Sequence, residues 1–216
     1  MLQHFFIATV SLVFLAGCGG AESSTPVETP AGTPVANEGA SSESAQADQQ
    51  DSEADQQGSG DESATAPEES VSTAAFNGNV DALKQHIAAG SDLNERDPTS
   101  GSTPLITAAT FDRRESARIL IEGGADLNLK NKEGSTALHT ATFLCRTEIV
   151  EMLLAAGADK EVMNKVGTTA LNGVEGPFEQ VRGIYDLLGA VLGPAGLKLD
   201  YKRIQVTRPK IAEMLR

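Results

Sequence analysis

Apolar side chains follow three rhythms along this chain. Residues 5–16 read Phe-Phe-Ile-Ala-Thr-Val-Ser-Leu-Val-Phe-Leu-Ala, an apolar run too short to cross a bilayer as a helix and of the size of a signal-peptide core. From Ala21 to about Ala66 only Val27 and Val35 are large apolar residues, so this stretch cannot bury enough surface to offset its ordering entropy and is expected to be disordered. From Pro67 onward helical spacing returns. A first helix is predicted with Thr65 as its cap and Pro67 in its first turn, followed by a helix with Val80, Leu83 and Ile87 on one face. Further helices are predicted near Thr103–Phe111, Glu115–Glu122, from Thr136, and over Glu148–Leu154. A long helix spans Phe178–Leu192 with Val181, Ile184, Leu188 and Val191 inward. A closing helix has Thr207 as its cap, Pro209 in its first turn, and Ile211, Met214 and Leu215 inward. The expected class is all-α.

Two phrases recur within the helical part. Gly101-Ser102-Thr103-Pro104-Leu105 returns as Gly134-Ser135-Thr136-Ala137-Leu138-His139 and as Gly167-Thr168-Thr169-Ala170-Leu171, at a stride of 33 residues. Ala89-Gly90-Ser91-Asp92-Leu93-Asn94 returns as Gly123-Gly124-Ala125-Asp126-Leu127-Asn128 and as Ala156-Gly157-Ala158-Asp159. Stride and wording resemble ankyrin repeats. The resemblance implies a solenoid of stacked helix-turn-helix units joined by β-turn or hairpin loops, behind the disordered linker. Its units divide as a partial one over 67–96, full repeats over 97–130 and 131–163, and an irregular repeat with a C-terminal cap over 164–216. In that last part Asn172-Gly173-Val174-Glu175-Gly176-Pro177 should cut the first helix short. Terminal units are expected to be atypical, because the last face must stop being adhesive.

Charge sharpens the division. The formal charge is −13, and 12 of the 30 acidic residues lie within 1–70, whereas all 17 Lys and Arg lie at or beyond Lys84. An acidic arm beside a nearly neutral repeat region argues against nucleic-acid binding, which needs a basic face. Leu15-Ala16-Gly17-Cys18 resembles a bacterial lipobox, although no Lys or Arg precedes the apolar run. That resemblance implies a lipoprotein-type signal peptide over 1–17, lipidation of Cys18, and a membrane tether through the acidic 18–66 linker. The expected location is the bacterial cell envelope, on the periplasmic face of the outer membrane as Gly19 after the Cys suggests. An acyl anchor holds strongly, since each buried methylene contributes about 0.8 kcal/mol.

Candidate chemistry is sparse. In the resemblance His139 is a structural pin, and Cys145, six residues on, does not share its helix face for nucleophile activation. No metal spacing, phosphate loop or hydrolase phrase occurs, so the reading is of a non-enzyme without cofactor or metal. The resemblance places partner contacts on the turn tips and the first helices, here Pro98, Thr99, Ser100, Ser102, Thr107, Thr110, Phe111, Lys132, Glu133, Ser135, Thr140, Phe143, Leu144, Lys165, Val166 and Thr168. Phe111 and Phe143 serve either as apolar anchors for a partner or as packing between neighbouring helices. The expected role is a monomeric scaffold that binds a protein. The alternative is a small-molecule sensor or carrier with a pocket around the irregular third repeat.

Overall fold

A computed structural model describes residues 66–216; the expected signal peptide, Cys18, Thr65 and all but the last residue of the expected linker lie outside them. The described residues form eight α-helices and one 3-10 turn, without a strand. These are α1 (Val71–Asn77), α2 (Val80–Ala88), α3 (Pro104–Thr110), α4 (Arg114–Glu122), α5 (Ala137–Phe143), α6 (Thr147–Ala155), α7 (Phe178–Leu192) and α8 (Tyr201–Leu215). They stack as two rows: α1, α3 and α5 pack in one, and α2, α4 and α6 in the other. Leu83, Leu105, Leu120, Leu138, Ile149 and Leu153 fill the space between the rows and are fully buried. Each such side chain contributes roughly 1.5–3 kcal/mol on burial.

Local chemistry explains the boundaries. Thr103 and Thr136 cap α3 and α5 with their hydroxyls, and Pro104 takes the first helical position, where no amide donor is needed. The first helix departs from expectation: Ser70 accepts from the Thr73 amide and starts it at Val71, beyond Pro67. The last helix departs more. Asp200 accepts from the Arg203 amide and nucleates α8 at Tyr201, so Pro209 sits in the helix interior rather than in its first turn. The missing amide leaves the Gln205 carbonyl without its usual helical donor.

Between the units, one set of hydrogen bonds repeats with the sequence. Asp92, Asp126 and Asp159 each accept, through Oδ1, the amide two residues on. Asn94 Oδ1 then accepts the Asp126 amide of the next unit at 2.9 Å, and Asn128 Oδ1 accepts the Asp159 amide at 2.9 Å. The Asp-Leu-Asn phrase is therefore a turn closed by its Asp and a bridge made by its Asn. Glu161 stands where the third Asn would be, and the bridge ends there.

A second bridge ties each first helix to the following unit. The Phe76 carbonyl, at the end of α1, accepts Arg113 Nε at 2.8 Å, and the Thr110 carbonyl accepts Arg146 Nη2 at 3.3 Å. Carbonyls at a helix C-terminus lack intrahelical donors, so a cation from the next unit satisfies both the hydrogen bond and the helix dipole. At the third step the Arg is absent and the Tyr185 hydroxyl donates to the Phe143 carbonyl at 2.5 Å.

The third unit has lost its first helix altogether. Residues 170–176 form turns and bends, with Asn172 Oδ1 accepting from the amide and hydroxyl of Thr169, and α7 follows from Phe178 to Leu192 as expected. The inward line of α7 is Phe178, Tyr185, Leu188 and Leu192, with Val181, Ile184 and Val191 only half-buried beside it. Tyr185 decides that rotation. Its ring stacks between Phe143, at 4.8 Å between centroids, and Phe178, at 5.8 Å. Helix α8 closes the array against α5 and α6 through Ile204, Ile211 and Leu215. Of the three closing-helix residues expected inside, Met214 stays half-buried.

Candidate binding surface

The turn tips are built by one residue per unit. Asp97 Oδ1 accepts from the amides of Thr99 and Ser100 and the Ser100 hydroxyl. Asn131 Oδ1 accepts from the amides of Glu133 and Ser135, and Asn164 Oδ1 from the amides of Val166 and Thr168 and the Thr168 hydroxyl. Asp and Asn favour such turns because their short side chains reach the backbone two residues on. Successive tips are then joined edge to edge, the Lys132 amide to the Ser100 carbonyl and the Lys165 amide to the Glu133 carbonyl, each at 2.9 Å.

Glycine makes this approach possible. Gly101 and Gly134 both have positive φ, +69° and +78°, and a Cβ at either would meet the next tip's backbone amide, Lys132 N at 3.1 Å or Lys165 N at 2.8 Å. Gly167 keeps the positive φ, +78°, but has open space around it, because no further tip follows.

Most of the expected contact residues are part of this frame. Ser100, Ser102, Glu133 and Ser135 are buried and give amides or carbonyls to the tips. Thr110 and Thr140 return their hydroxyls to the carbonyls of Ile106 and Thr136, and Thr107 accepts the Phe111 amide inside the helix end. Phe111 packs edge-on against Phe76 at 4.6 Å, and Phe143 stacks on Tyr185, so both aromatics are packing residues and not free anchors. Leu144, which ends α5, is buried with them. This corrects the expectation of one broad contact face. Lys132, Lys165 and Val166 do reach solvent, with Thr99 half-buried beside them.

The exposed tips form a row that also holds residues absent from the expected set. Arg96 Nη1 donates to the Lys130 carbonyl, Lys130 Nζ to the Met163 carbonyl at 3.0 Å, and Lys132 Nζ to the Pro98 carbonyl at 2.7 Å. Each cation thus rests on a neighbouring unit with its charge at the surface. At the end of the row Met163 is 57% exposed and Val166 39%. Arg96, Lys130 and Met163 recur at steps of 34 and 33, the signal that could have found them.

His139 and Cys145 are held in structural positions. His139 Nδ1 lies 2.9 Å from the Thr136 hydroxyl and accepts the Thr136 amide, which leaves Nε2 as the donor to the Thr168 carbonyl at 3.1 Å. The ring therefore ties the cap of α5 to the next tip, and burial holds its pKa below the usual imidazole value. Cys145 sits in a left-handed turn at φ +55°, one stride after Asp112 at φ +56°. Burial pushes its thiol up to about 11, against the opposing pull of Arg208 and Arg146, so the thiolate needed for a nucleophile is not formed near neutrality. Among the described residues no group of three His, Cys, Asp or Glu is placed to hold a metal ion, and no helix is long and apolar enough to cross a membrane.

Stacked helix pairs, a 33-residue stride and mutually bridged tips are the pattern of a helical repeat array. Residues 71–164 match ankyrin repeats, in three copies. The fold is an ankyrin-repeat solenoid, with α7 and α8 added beyond the matched residues. Over 70 residues the chain is also 39% identical to the human (Homo sapiens) DNA-binding protein RFXANK. That segment is 32% of this chain and 27% of the relative, so the chain matches about a quarter of the relative's length.

Proposed function

We propose that this protein is a monomeric, non-catalytic scaffold in a bacterial cell envelope. In this reading it is lipidated at Cys18, held on the periplasmic face of the outer membrane, and binds another protein through its ankyrin tips. The observation that carries the binding role is the bridged tip row, which presents Lys130, Lys132, Lys165, Met163 and Val166 on a backbone fixed from unit to unit. A pre-organised row binds without the ordering cost of a loose loop. Its cations suit a partner segment rich in carboxylates, with an apolar side chain seated at Met163 and Val166. A protein fits better than a nucleic acid, because the whole chain carries −13 and the row holds too few cations to offset it. The tether is supported by the 5–16 apolar run and the Leu15-Ala16-Gly17-Cys18 phrase, and the 21–66 composition would let the domain reach on the order of 40 Å from its anchor.

The test is crosslinking in whole bacterial cells of the full-length protein, a Cys18→Ser version, and a Lys132→Glu/Lys165→Glu version. The expected result is acylation of the first and third only, with the captured protein lost from the third. Absence of acylation in the first would remove the tether. Unchanged capture by the charge-reversed tips would remove the tip row as the binding surface.

A further inference from the structure

Two guanidinium groups are buried in this fold, and they are treated differently. Arg146, 6% exposed, reaches Asp112 Oδ2 at 3.6 Å and the carbonyls of Thr110 and Lys198, so a carboxylate accompanies its charge. Arg208, on α8, is only 2% exposed. Its Nη1 donates to the Gly173 carbonyl at 3.1 Å and the Tyr185 hydroxyl at 3.2 Å, its Nη2 to the Glu175 carbonyl at 3.4 Å, and its Nε has no acceptor. All its acceptors are neutral. The nearby Glu175 carboxylate is turned outward to Arg216 Nη2 at 3.2 Å, and among the described residues no Asp or Glu pairs with Arg208. A buried charge without a counter-charge is costly, and five donors with three acceptors leave capacity for an anion.

The same side chain lines a cleft of about 620 Å³ between the 174–179 turn and α8. The cleft lies where the third repeat lacks its first helix, beside the stretch of α8 that carries Pro209. Val174, Pro177, Phe178, Pro209 and Ala212 give it an apolar wall. Glu175, Glu179 and Glu213 line it as well. A volume in the range of roughly 300–1,000 Å³ with a few converging polar groups is that of a small-molecule site.

We propose that this cleft binds a small monocarboxylate with an apolar body, its carboxylate on Arg208 and its body against Pro177, Phe178 and Ala212. A planar carboxylate matches the guanidinium fork, and the three glutamates at the walls disfavour a multiply charged phosphate. The site lies away from the tip row and does not depend on the protein-binding reading.

The test uses hexanoate, hexanamide and inorganic phosphate with the full chain, followed by NMR shifts at Val174 and Ala212. Hexanoate is expected to saturate those shifts, hexanamide to bind at least tenfold more weakly, and phosphate not to compete. Arg208→Lys should weaken hexanoate at least tenfold. Because loss of the bonds to Gly173 and Tyr185 can also unfold the cap, Ala212→Met provides a second probe that fills the cleft and leaves those bonds in place; it should abolish saturation while the helical circular dichroism is retained. Equal binding of hexanoate and hexanamide, no saturable hexanoate binding, or full binding by folded Ala212→Met would each overturn the site.

Discussion

The second repeat, 131–163, and the third, 164–216, begin with nearly the same words and end as different structures. Gly134-Ser135-Thr136-Ala137-Leu138 leads into a capped seven-residue helix, and Gly167-Thr168-Thr169-Ala170-Leu171 leads into turns. The tip survives in both, since it needs only a glycine and one Asx side chain. The helix does not, because Gly173, Gly176 and Pro177 follow where Thr140, Phe143 and Leu144 stand one stride earlier. The tip and its edge-to-edge bond to the preceding unit are thus copied into the third repeat, while the bridge to the preceding helix end is replaced. Tyr185 takes over from the absent Arg at the Phe143 carbonyl, and Arg208 in turn supports Tyr185.

That contrast can be broken most severely at its hinge. Tyr185→Ala removes a fully buried ring, two stacks and two hydrogen bonds, and should cost about 3–5 kcal/mol. Urea denaturation should show the loss, and a cost below about 1 kcal/mol would mean that the C-terminal cap does not rest on this residue. The glycines offer a more direct comparison of the two repeats. Gly167→Ala pays only the left-handed backbone, about 1–2 kcal/mol, whereas Gly134→Ala adds the collision with the Lys165 amide and should cost more. Equal thermal shifts for the two variants would show that the tips do not press on one another. Asn128→Ala removes the bridge to Asp159 and should cost about 1 kcal/mol, while Glu161→Ala, at the corresponding place where the bridge has ended, should fall within about 0.5 kcal/mol of zero.

The gentlest probe is pH. Burial lowers the His139 pKa, so the folded state takes up its proton less readily than the unfolded chain. Stability from this residue is complete above the ordinary imidazole value near 6.5 and declines as pH falls from there toward the lowered folded value. Urea midpoints of wild type should therefore drop over that window more than those of His139→Gln; parallel curves would remove the residue from the pH response.

Legibility followed sequence distance. The stride and the α7 limits were readable because each depends on residues within one turn or one repeat phrase. The starts of α1 and α8 were not. Thr207 and Pro209 look like a cap and first turn in isolation, but Asp200 nucleates earlier, and Ile204 then has core to enter against α5 and α6. The exposed tip row was half-readable: Lys132, Lys165 and Val166 were expected there and reach solvent, whereas Phe111 and Phe143 gave a periodic signal that fits anchor and core equally. Their partners, Phe76 and Tyr185, lie 35 and 42 residues away.

By itself the amino-acid sequence determined a repeat solenoid, its 33-residue stride and the place where regularity fails. Those follow from local hydrogen bonding and side-chain periodicity, which act over a few residues and are written in order along the chain. Only the tertiary structure decided which faces closed, that Tyr185 replaces an arginine, and that Arg208 is buried beside an open cleft with no Asp or Glu among the described residues paired to it. Burial and charge pairing are properties of what meets in space, and in the irregular last unit no repeat period relates one partner to the other.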